Sequence, residues 1–206
     1  NKRYMSIIHH YEKCFEKYGD NCKGVDWPNP QDVDTRFSIM LNILRNYEGE
    51  VNLLDFGCGT ANLYEYILRN NIKNINYSGL DLSPVFVDFC KNKYPHLAFY
   101  CMDIIEDPNS LPDFDFMILN GVFTEKQDLS FNEMFTYFKT LLAILYNKTD
   151  KALAFNVMSK NVDRERADLF HLDQNILTDF LKNDLDAHFE IVENYGLYEY
   201  TTYLYR

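Results

Sequence analysis

Residues 51–63 carry the clearest chemistry in this chain. They read VNLLDFGCGTANL, in which an apolar run containing Asp55 is followed at once by Gly57 and Gly59. Glycine has no Cβ, so it lets the backbone turn tightly and touch a ligand. A helix that begins directly after such a turn points its free N–H groups at that ligand. The stretch therefore predicts a strand, a ligand-binding turn and a helix.

A second acid follows at a spacing that matters. Asp81 ends the segment NINYSGLD, residues 74–81, about 20 residues after the glycines. An acid there can accept hydrogen bonds from both ribose hydroxyls of a nucleoside. Two simpler interpretations stay open: the glycines form an ordinary turn, and Asp81 only caps the helix that begins near Pro84. Glycines and acid together favour a ligand that contains a nucleoside.

The third small position of the turn separates two ligand classes. A dinucleotide fingerprint, G-x-G-x-x-G/A, requires a small residue where this chain has Asn62, which disfavours a NAD-dependent oxidoreductase. The pattern D-x-G-x-G-x-A fits instead, through Asp55, Gly57, Gly59 and Ala61. It resembles motif I of the class I S-adenosylmethionine (SAM) dependent methyltransferases. The resemblance, which extends over nearly the whole chain and is closest to small bacterial enzymes, implies SAM as cofactor and S-adenosylhomocysteine (SAH) as product.

The same resemblance implies where the cofactor is held. Asp55 and the glycine backbone would hold its methionine end, Asp103 would lie beside the adenine amino group, and the flanking residues would sandwich the ring. Trp27 could attract the sulfonium and Arg36 the carboxylate, although Trp packing between helices and Arg on a solvated face remain alternatives. The implied cofactor residues are Trp27, Arg36, Asp55, Gly57, Cys58, Gly59, Asp81, Leu82, Met102, Asp103, Ile104, Asn120 and Gly121.

The segment after the fourth predicted strand, residues 120–123, occupies the motif IV position of that family. Methyltransferases acting on nucleobases usually have (D/N)-P-P-(F/Y) there. This chain lacks both prolines, which disfavours a DNA or RNA base as the acceptor. Possible acceptor contacts are Val122, Phe123, Arg164, Arg166 and His171, although the two arginines could simply be exposed loop charges. Candidate catalytic residues are Tyr11 and His10, with His9 and Glu12 beside them; a single histidine in such a place is often structural.

Composition limits the partners. The net charge of −11 over 206 residues disfavours a nucleic acid substrate, because phosphates repel an acidic surface. The five cysteines lack paired spacing, which predicts a reducing, cytoplasmic setting and neither a disulfide framework nor a zinc site; we predict no metal. No signal peptide or apolar run of membrane length is visible, so we expect a soluble protein. The oligomeric state is not predicted.

Alternating strands and helices must position these residues. Apolar patterning predicts strands at 51–56, 74–81, 98–102, 114–119 and 152–158, and a closing antiparallel hairpin of 188–194 and 197–205 around a tight turn at Tyr195-Gly196. Predicted helices cover 4–18, 32–47, 62–69, 84–94, 132–146 and 173–182. The resemblance then implies one α/β domain, 1–206: a helical lid, 1–48, and a Rossmann-like core, 49–206, whose seven strands run 3-2-1-4-5-7-6.

These expectations combine into one reaction. Methyl transfer from a sulfonium is an in-line displacement that needs proximity, water exclusion and, for a hydroxyl acceptor, a base. We therefore expect transfer of a methyl group from SAM to an oxygen or nitrogen of a small molecule, such as a sugar or another metabolite. The alternative is a protein of the same fold that binds SAM or a nucleoside without turnover.

Overall fold

The computed structural model of the chain describes residues 2–206, without the side chains of Cys22 and Val25. Its strands are β1 Val51–Phe56, β2 Ile75–Asp81, β3 Ala98–Cys101, β4 Phe114–Leu119, β5 Thr149–Met158, β6 His188–Val192 and β7 Glu199–Tyr205. Its α-helices are α1 Met5–Tyr18, α2 Pro30–Leu41, α3 Asn62–Arg69, α4 Pro84–Lys93, α5 Phe131–Asn147 and α6 Gln174–Asn183, with 3₁₀ turns at Cys22–Val25 and Asn42–Leu44. None of the helices in the described residues is both long and apolar enough to span a membrane.

The seven strands form one sheet in the order β3-β2-β1-β4-β5-β7-β6, which confirms the predicted Rossmann-like α/β arrangement. Neighbours from β3 to β5 are parallel, whereas β7 is antiparallel to both β5 and β6. The central strands β1 and β4 are almost wholly buried, as expected for parallel strands covered on both faces. The chain continues from β1 into α3 on one face of the sheet and from β4 toward α5 on the other, which creates a crevice at the topological switch point.

Two apolar clusters cover the two faces of the sheet. On one face, α5 packs Phe138 against Phe123 and Phe155, with ring centroids 4.8 and 5.5 Å away. On the other face, Met40 of α2 and Ile67 of α3 lie on β1 and β4. A rigid sheet between these clusters fixes the height and spacing of the strand ends.

Two predicted element boundaries were wrong by three residues or more. The second helix ends at Leu41, not at 47, because its last turn tightens into the 3₁₀ turn Asn42–Leu44, where Arg45 donates to the Asn42 carbonyl. Strand β5 begins at Thr149, three residues early, because this polar start pairs with Phe114 of β4.

The predicted tight turn between the last two strands is instead a six-residue loop, 193–198. The hydroxyl of Tyr195 reaches back to Glu199 (3.1 Å) and Thr201 (3.0 Å), and a two-residue turn would leave no room for that return. Asn194 and Gly196 adopt positive φ to make the loop.

Candidate active site

A pocket opens at the carboxyl ends of β1, β2 and β4, with about 1010 Å³ of space not filled by protein atoms, part of it open to solvent. Its sheet side is lined by residues 55–59, 62–63, 80–82, 86 and 120–122. Its other side is lined by the lid residues Tyr4, Ile7, Ile8, Tyr11, Trp27, Val33 and Phe37, together with Tyr137 of α5. The predicted lid thus contributes mainly rings and aliphatic side chains.

The glycine turn has the backbone that the sequence predicts. Gly57 and Gly59 have φ of +72° and +53°, in the left-handed region that other residues avoid. A Cβ on Gly57 would lie only 2.8 Å from Cγ2 of Val122. Both the dihedral angle and the space therefore require glycine at Gly57, and bare backbone faces the pocket.

The first turn of α3 is open toward the same pocket. Its N-cap residue, Ala61, has φ of +63° and offers no side-chain hydrogen bond, although Asn62 and Leu63 line the pocket. In contrast, α4 is capped by the Ser83 hydroxyl. An uncapped helix start presents N–H groups and the positive end of the helix dipole, which suits a carboxylate ligand.

Asp81 and Asp55 are the two buried acids of the sheet side. Asp81 accepts hydrogen bonds from the N–H of Gly59 (3.0 Å) and of Ser83 (2.9 Å), so its carboxylate faces the glycine turn. Burial raises its pKa to about 6. Asp55 accepts from the Tyr77 hydroxyl at 2.5 Å, and burial raises its pKa to about 7. A ligand group that donates a hydrogen bond or carries positive charge would therefore stabilise the ionised form of each carboxylate.

The end of β4 is held by a buried hydrogen-bond network. Asn156 of β5 accepts from the Gly121 N–H (2.8 Å) and donates to the side-chain oxygen of Asn120 (3.2 Å). The same amide donates to Glu199 at 2.7 Å. Asn156 and Glu199 are 0% and 3% exposed, so this network fixes the backbone that faces the pocket.

Trp27 and Arg36 lie against that network in different ways. The Arg36 guanidinium stacks 4.1 Å from the Trp27 ring centroid, and its Nε donates to Glu199 at 2.5 Å. Trp27 lines the pocket, whereas Arg36 does not. A Cβ on Gly121 (φ +78°) would lie 2.4 Å from Trp27, so glycine is required for the indole to lie there.

The predicted adenine side is only partly at the pocket. Leu82 lines it, whereas Met102, Asp103 and Ile104 do not. Ile104 is 2% exposed and belongs to the core. Asp103 accepts a hydrogen bond from the lid hydroxyl of Tyr4 at 2.5 Å, so the lid contacts the carboxylate that the resemblance assigns to adenine.

The two candidate catalytic residues of α1 point to different places. Tyr11 lines the pocket, and its hydroxyl donates to the Gly121 carbonyl at 3.4 Å. Burial, and then the charges of Glu125 and Asp26, raise the pKa of Tyr11 well above its usual value. His10 is not among the lining residues, and its Nε2 lies 2.8 Å from Asp26 instead.

Of the predicted acceptor residues, one lines the pocket and the others lie in the core, in a loop or at the surface. Val122 lines the pocket, whereas Phe123 is 0% exposed in the core. His171 is engaged through both ring nitrogens, at 3.1 Å from the Arg166 N–H and 2.7 Å from the Ser159 carbonyl, so it fixes the loop 159–172. Arg166 pairs with Asp168 at the surface, and Arg164 is exposed.

Sequence reasoning missed two groups of site residues. Tyr4, Ile7 and Tyr137 on the lid side were assigned to packing or left out, although the excess of 16 Tyr and 16 Phe was a signal for a ring-lined pocket. Asn156 and Glu199 gave no local signal, because the partners that bring each of them to the pocket wall lie more than 30 residues away.

Comparisons with known proteins agree with this geometry. Residues 54–145 match a family model described as a methyltransferase domain. A Mycobacterium tuberculosis protein, Rv1506c, assigned by name as a methyltransferase, is 26% identical over 152 residues, which is 71% of this chain and 88% of that protein.

Two solved structures share the fold over almost their whole length. The N-methyltransferase NodS of Bradyrhizobium japonicum WM9, in complex with SAH, has a TM-score of 0.67 at 14% identity and covers 100% of this chain and 98% of its own. Magnesium protoporphyrin IX methyltransferase of Synechocystis PCC 6803, with bound SAH, has a TM-score of 0.65 at 14% identity, covering 98% and 99%. Residues 54–145 thus match a methyltransferase domain, and the solved structures show that the whole chain has the fold of SAM-dependent methyltransferases.

Proposed function

We propose that this enzyme transfers a methyl group from SAM to an oxygen or nitrogen of a small-molecule acceptor, such as a sugar or another metabolite. The observation that carries the proposal is the difference between the two sides of the pocket: the sheet side offers buried carboxylates, bare glycine backbone and an open helix start, whereas the lid side offers mainly rings and aliphatic side chains. The sheet side suits a charged cofactor. The lid side suits a compact acceptor that must approach the methyl group along a line, with water excluded.

The sheet side fits SAM through backbone and carboxylates. We expect the open start of α3 to receive the methionine carboxylate, and Asp81 to accept the ribose hydroxyls. Asp55 lines the same pocket, and we expect it to accept a hydrogen bond from the amino group of SAM. Bound SAM supplies an activated methyl group, so these residues have only to bind and orient. Arg36 is already paired with Glu199, and we assign it to holding the pocket wall.

The lid side supplies positioning, and Tyr11 is one of its polar groups. A raised pKa keeps the phenol protonated near neutral pH, so Tyr11 is suited to donate a hydrogen bond to the acceptor, not to remove a proton. Val122 and Tyr137 complete the walls around it. A net charge of −11 and the apolar lining both favour a neutral or cationic small molecule over a polyanion.

The test is methyl transfer from radiolabelled SAM into fractionated cell extract. We expect label in the small-molecule fraction, and expect nuclease or protease treatment of the extract to leave it there. Label that sediments with nucleic acid or protein would contradict the acceptor class. Tight SAH binding by calorimetry, without any labelled product from any extract, would instead favour the binding module without turnover.

A further inference from the structure

Four potential metal ligands meet next to Tyr11, and none of them lines the pocket. We call His10, Cys14, Asp26 and Glu125 the lid cluster. Donor atoms of the first three lie within 4.8 Å of one another. His10 Nε2 is 2.8 Å from Asp26 Oδ2, 3.4 Å from Glu125 Oε2 and 3.8 Å from Cys14 Sγ. Three parts of the chain therefore converge on one imidazole.

The chain brings these donors together for simple reasons. His10 and Cys14 are four residues apart on α1, so they lie on one face of the helix, one turn apart. Asp26 follows the 3₁₀ turn that ends at Val25, and Glu125 follows β4. The cluster thus joins the lid helix, the loop that carries Trp27 and the segment that carries the pocket residues after β4.

The lid cluster sets two carboxyl groups against one imidazole. Asp26 and Glu125 both lie within ion-pair distance of His10, and within the described residues neither has a lysine or arginine at that distance. Glu125 is only 9% exposed, and besides His10 it contacts the neutral amide of Gln127 and the carboxylate of Asp26. Burial and this neighbouring carboxylate raise the pKa of Glu125. A buried carboxyl group either stays protonated or needs a cationic partner or a metal ion, and a bound cation would allow both Asp26 and Glu125 to ionise.

The distances match a tetrahedral site. Metal–ligand bonds of about 2.0–2.3 Å in a tetrahedron separate the donor atoms by about 3.3–3.6 Å. Of the three separations from His10 Nε2, the 3.4 Å to Glu125 lies within that range, whereas the 2.8 Å to Asp26 is shorter and the 3.8 Å to Cys14 slightly longer, so small side-chain movements would complete the tetrahedron. An imidazole and a thiolate with carboxylates are typical zinc ligands, whereas calcium and magnesium prefer oxygen alone.

We propose that the lid cluster binds one divalent transition-metal ion, with Zn²⁺ best suited to it, through His10, Cys14 and Asp26, and with Glu125 as fourth ligand. The ion would not contact the methyl group. It would tie α1 and the loop before Trp27 to the segment after β4, and so hold the lid over the acceptor side. This goes beyond the methyl-transfer proposal, because it requires neither SAM nor an acceptor.

Cobalt is the direct probe, because Co²⁺ bound to a thiolate gives a charge-transfer band and a tetrahedral site gives intense visible bands. Protein stripped with a chelator should bind one Co²⁺ per chain, and Zn²⁺ should displace it. Cys14→Ser should remove the charge-transfer band, whereas the matched variant Cys101→Ser, at an exposed cysteine outside the cluster, should keep it. A band that persists in Cys14→Ser, or absence of a stoichiometric cobalt complex, would overturn the proposal.

Affinity and stability provide a second readout. His10→Ala should weaken Zn²⁺ binding by more than about a hundredfold, since even residues that only support a metal site contribute ten- to hundredfold. His9→Ala, at the neighbouring exposed histidine, should leave the affinity unchanged. Zn²⁺ should raise the melting temperature of the wild type and of His9→Ala, but not that of His10→Ala. Unchanged SAH binding in each variant shows that the fold is intact; equal zinc affinity in His10→Ala and His9→Ala would exclude the site.

Discussion

The two walls of the pocket are built in different ways. The wall at β1 and β2 comes from one continuous turn, residues 55–63, and from Asp81, which bonds back to Gly59. The wall at β4 depends on Asn156 from β5, Glu199 from β7 and Arg36 from α2. The first wall is a local structure with one added acid, whereas the second is stabilised by contacts across the whole chain. This difference predicts separate consequences for binding and for stability.

The largest effect is expected from breaking the second wall. Glu199→Ala should lower the free energy of unfolding by about 3–5 kcal/mol, because it leaves the 12%-exposed Arg36 and the Asn156 amide without their partner. Urea denaturation measures this. The control is Glu190→Ala, which removes the surface pair with Arg45 and should cost about 0–1 kcal/mol. Equal losses in the two variants would mean that the network does not stabilise this wall.

Breaking the first wall should affect the ligand instead. Asp81→Ala should weaken SAH binding by about ten- to a hundredfold, through loss of hydrogen bonds from the ribose hydroxyls. Isothermal calorimetry measures the affinity, and Asp88→Ala on the exposed face of α4 is the control. If SAH binds Asp81→Ala as tightly as the wild type, Asp81 does not hold the ribose.

The pH dependence of SAH binding sharpens the same point. Burial raises the pKa of Asp81 to about 6, so the carboxylate that accepts the hydroxyls is lost as the pH falls through 6. We expect about tenfold weaker binding one pH unit lower. Asp81→Asn should remove this step, while any step near 7 from Asp55 should persist. A wild-type profile that is flat between pH 5 and 7 would contradict both assignments.

The free energy of unfolding of the ligand-free protein should depend on pH in the opposite direction, falling as the pH rises. Because the folded-state pKa values of Asp55 and Asp81 lie above the usual value of 3.8, these acids stabilise the ligand-free fold most fully below that value. This contribution is lost as the pH rises through about 6 to 7. Asp55→Asn should therefore be less sensitive to that rise than the wild type, as measured by urea denaturation at pH 5 and pH 8.

The smallest effect is expected at the lid. Tyr11→Phe should lower methyl transfer into the extract by about three- to tenfold, the value of one hydrogen bond, and leave SAH affinity within about twofold. Tyr18→Phe, on the same helix and 43% exposed, is the matched control. If Tyr11→Phe transfers methyl groups at the wild-type rate, the Tyr11 hydroxyl does not act on the acceptor and the residue only packs in the lid.

The sequence was sufficient for the sheet and for the first wall. Apolar runs and turn residues predicted each strand, and the resemblance gave their order, since a buried parallel strand and a glycine turn depend on neighbouring residues. The second wall was not predictable in the same way. Nothing near Glu199 or Asn156 indicates a role, because each gains one only when β5, β7 and α2 have met.

The same limit applies to side chains that were assigned by type. Arg36 was expected on the cofactor's carboxylate because of its charge, yet Glu199, 163 residues away, pairs with it. His171 was considered for the acceptor, yet two backbone groups engage both of its nitrogens. The lid cluster has no motif either, since its ligands are distributed from residue 10 to residue 125. Spacing along the chain predicts local turns but not these long-range pairs.

Trp27 gives the protein a built-in optical reporter. It is the single tryptophan of the chain, and its indole lies on the pocket wall between Arg36 and Gly121. Indole fluorescence therefore reads one place in the molecule, without any label and without background from other tryptophans. Emission spectra recorded during titration with nucleosides or candidate acceptors would rank ligands before any product is known.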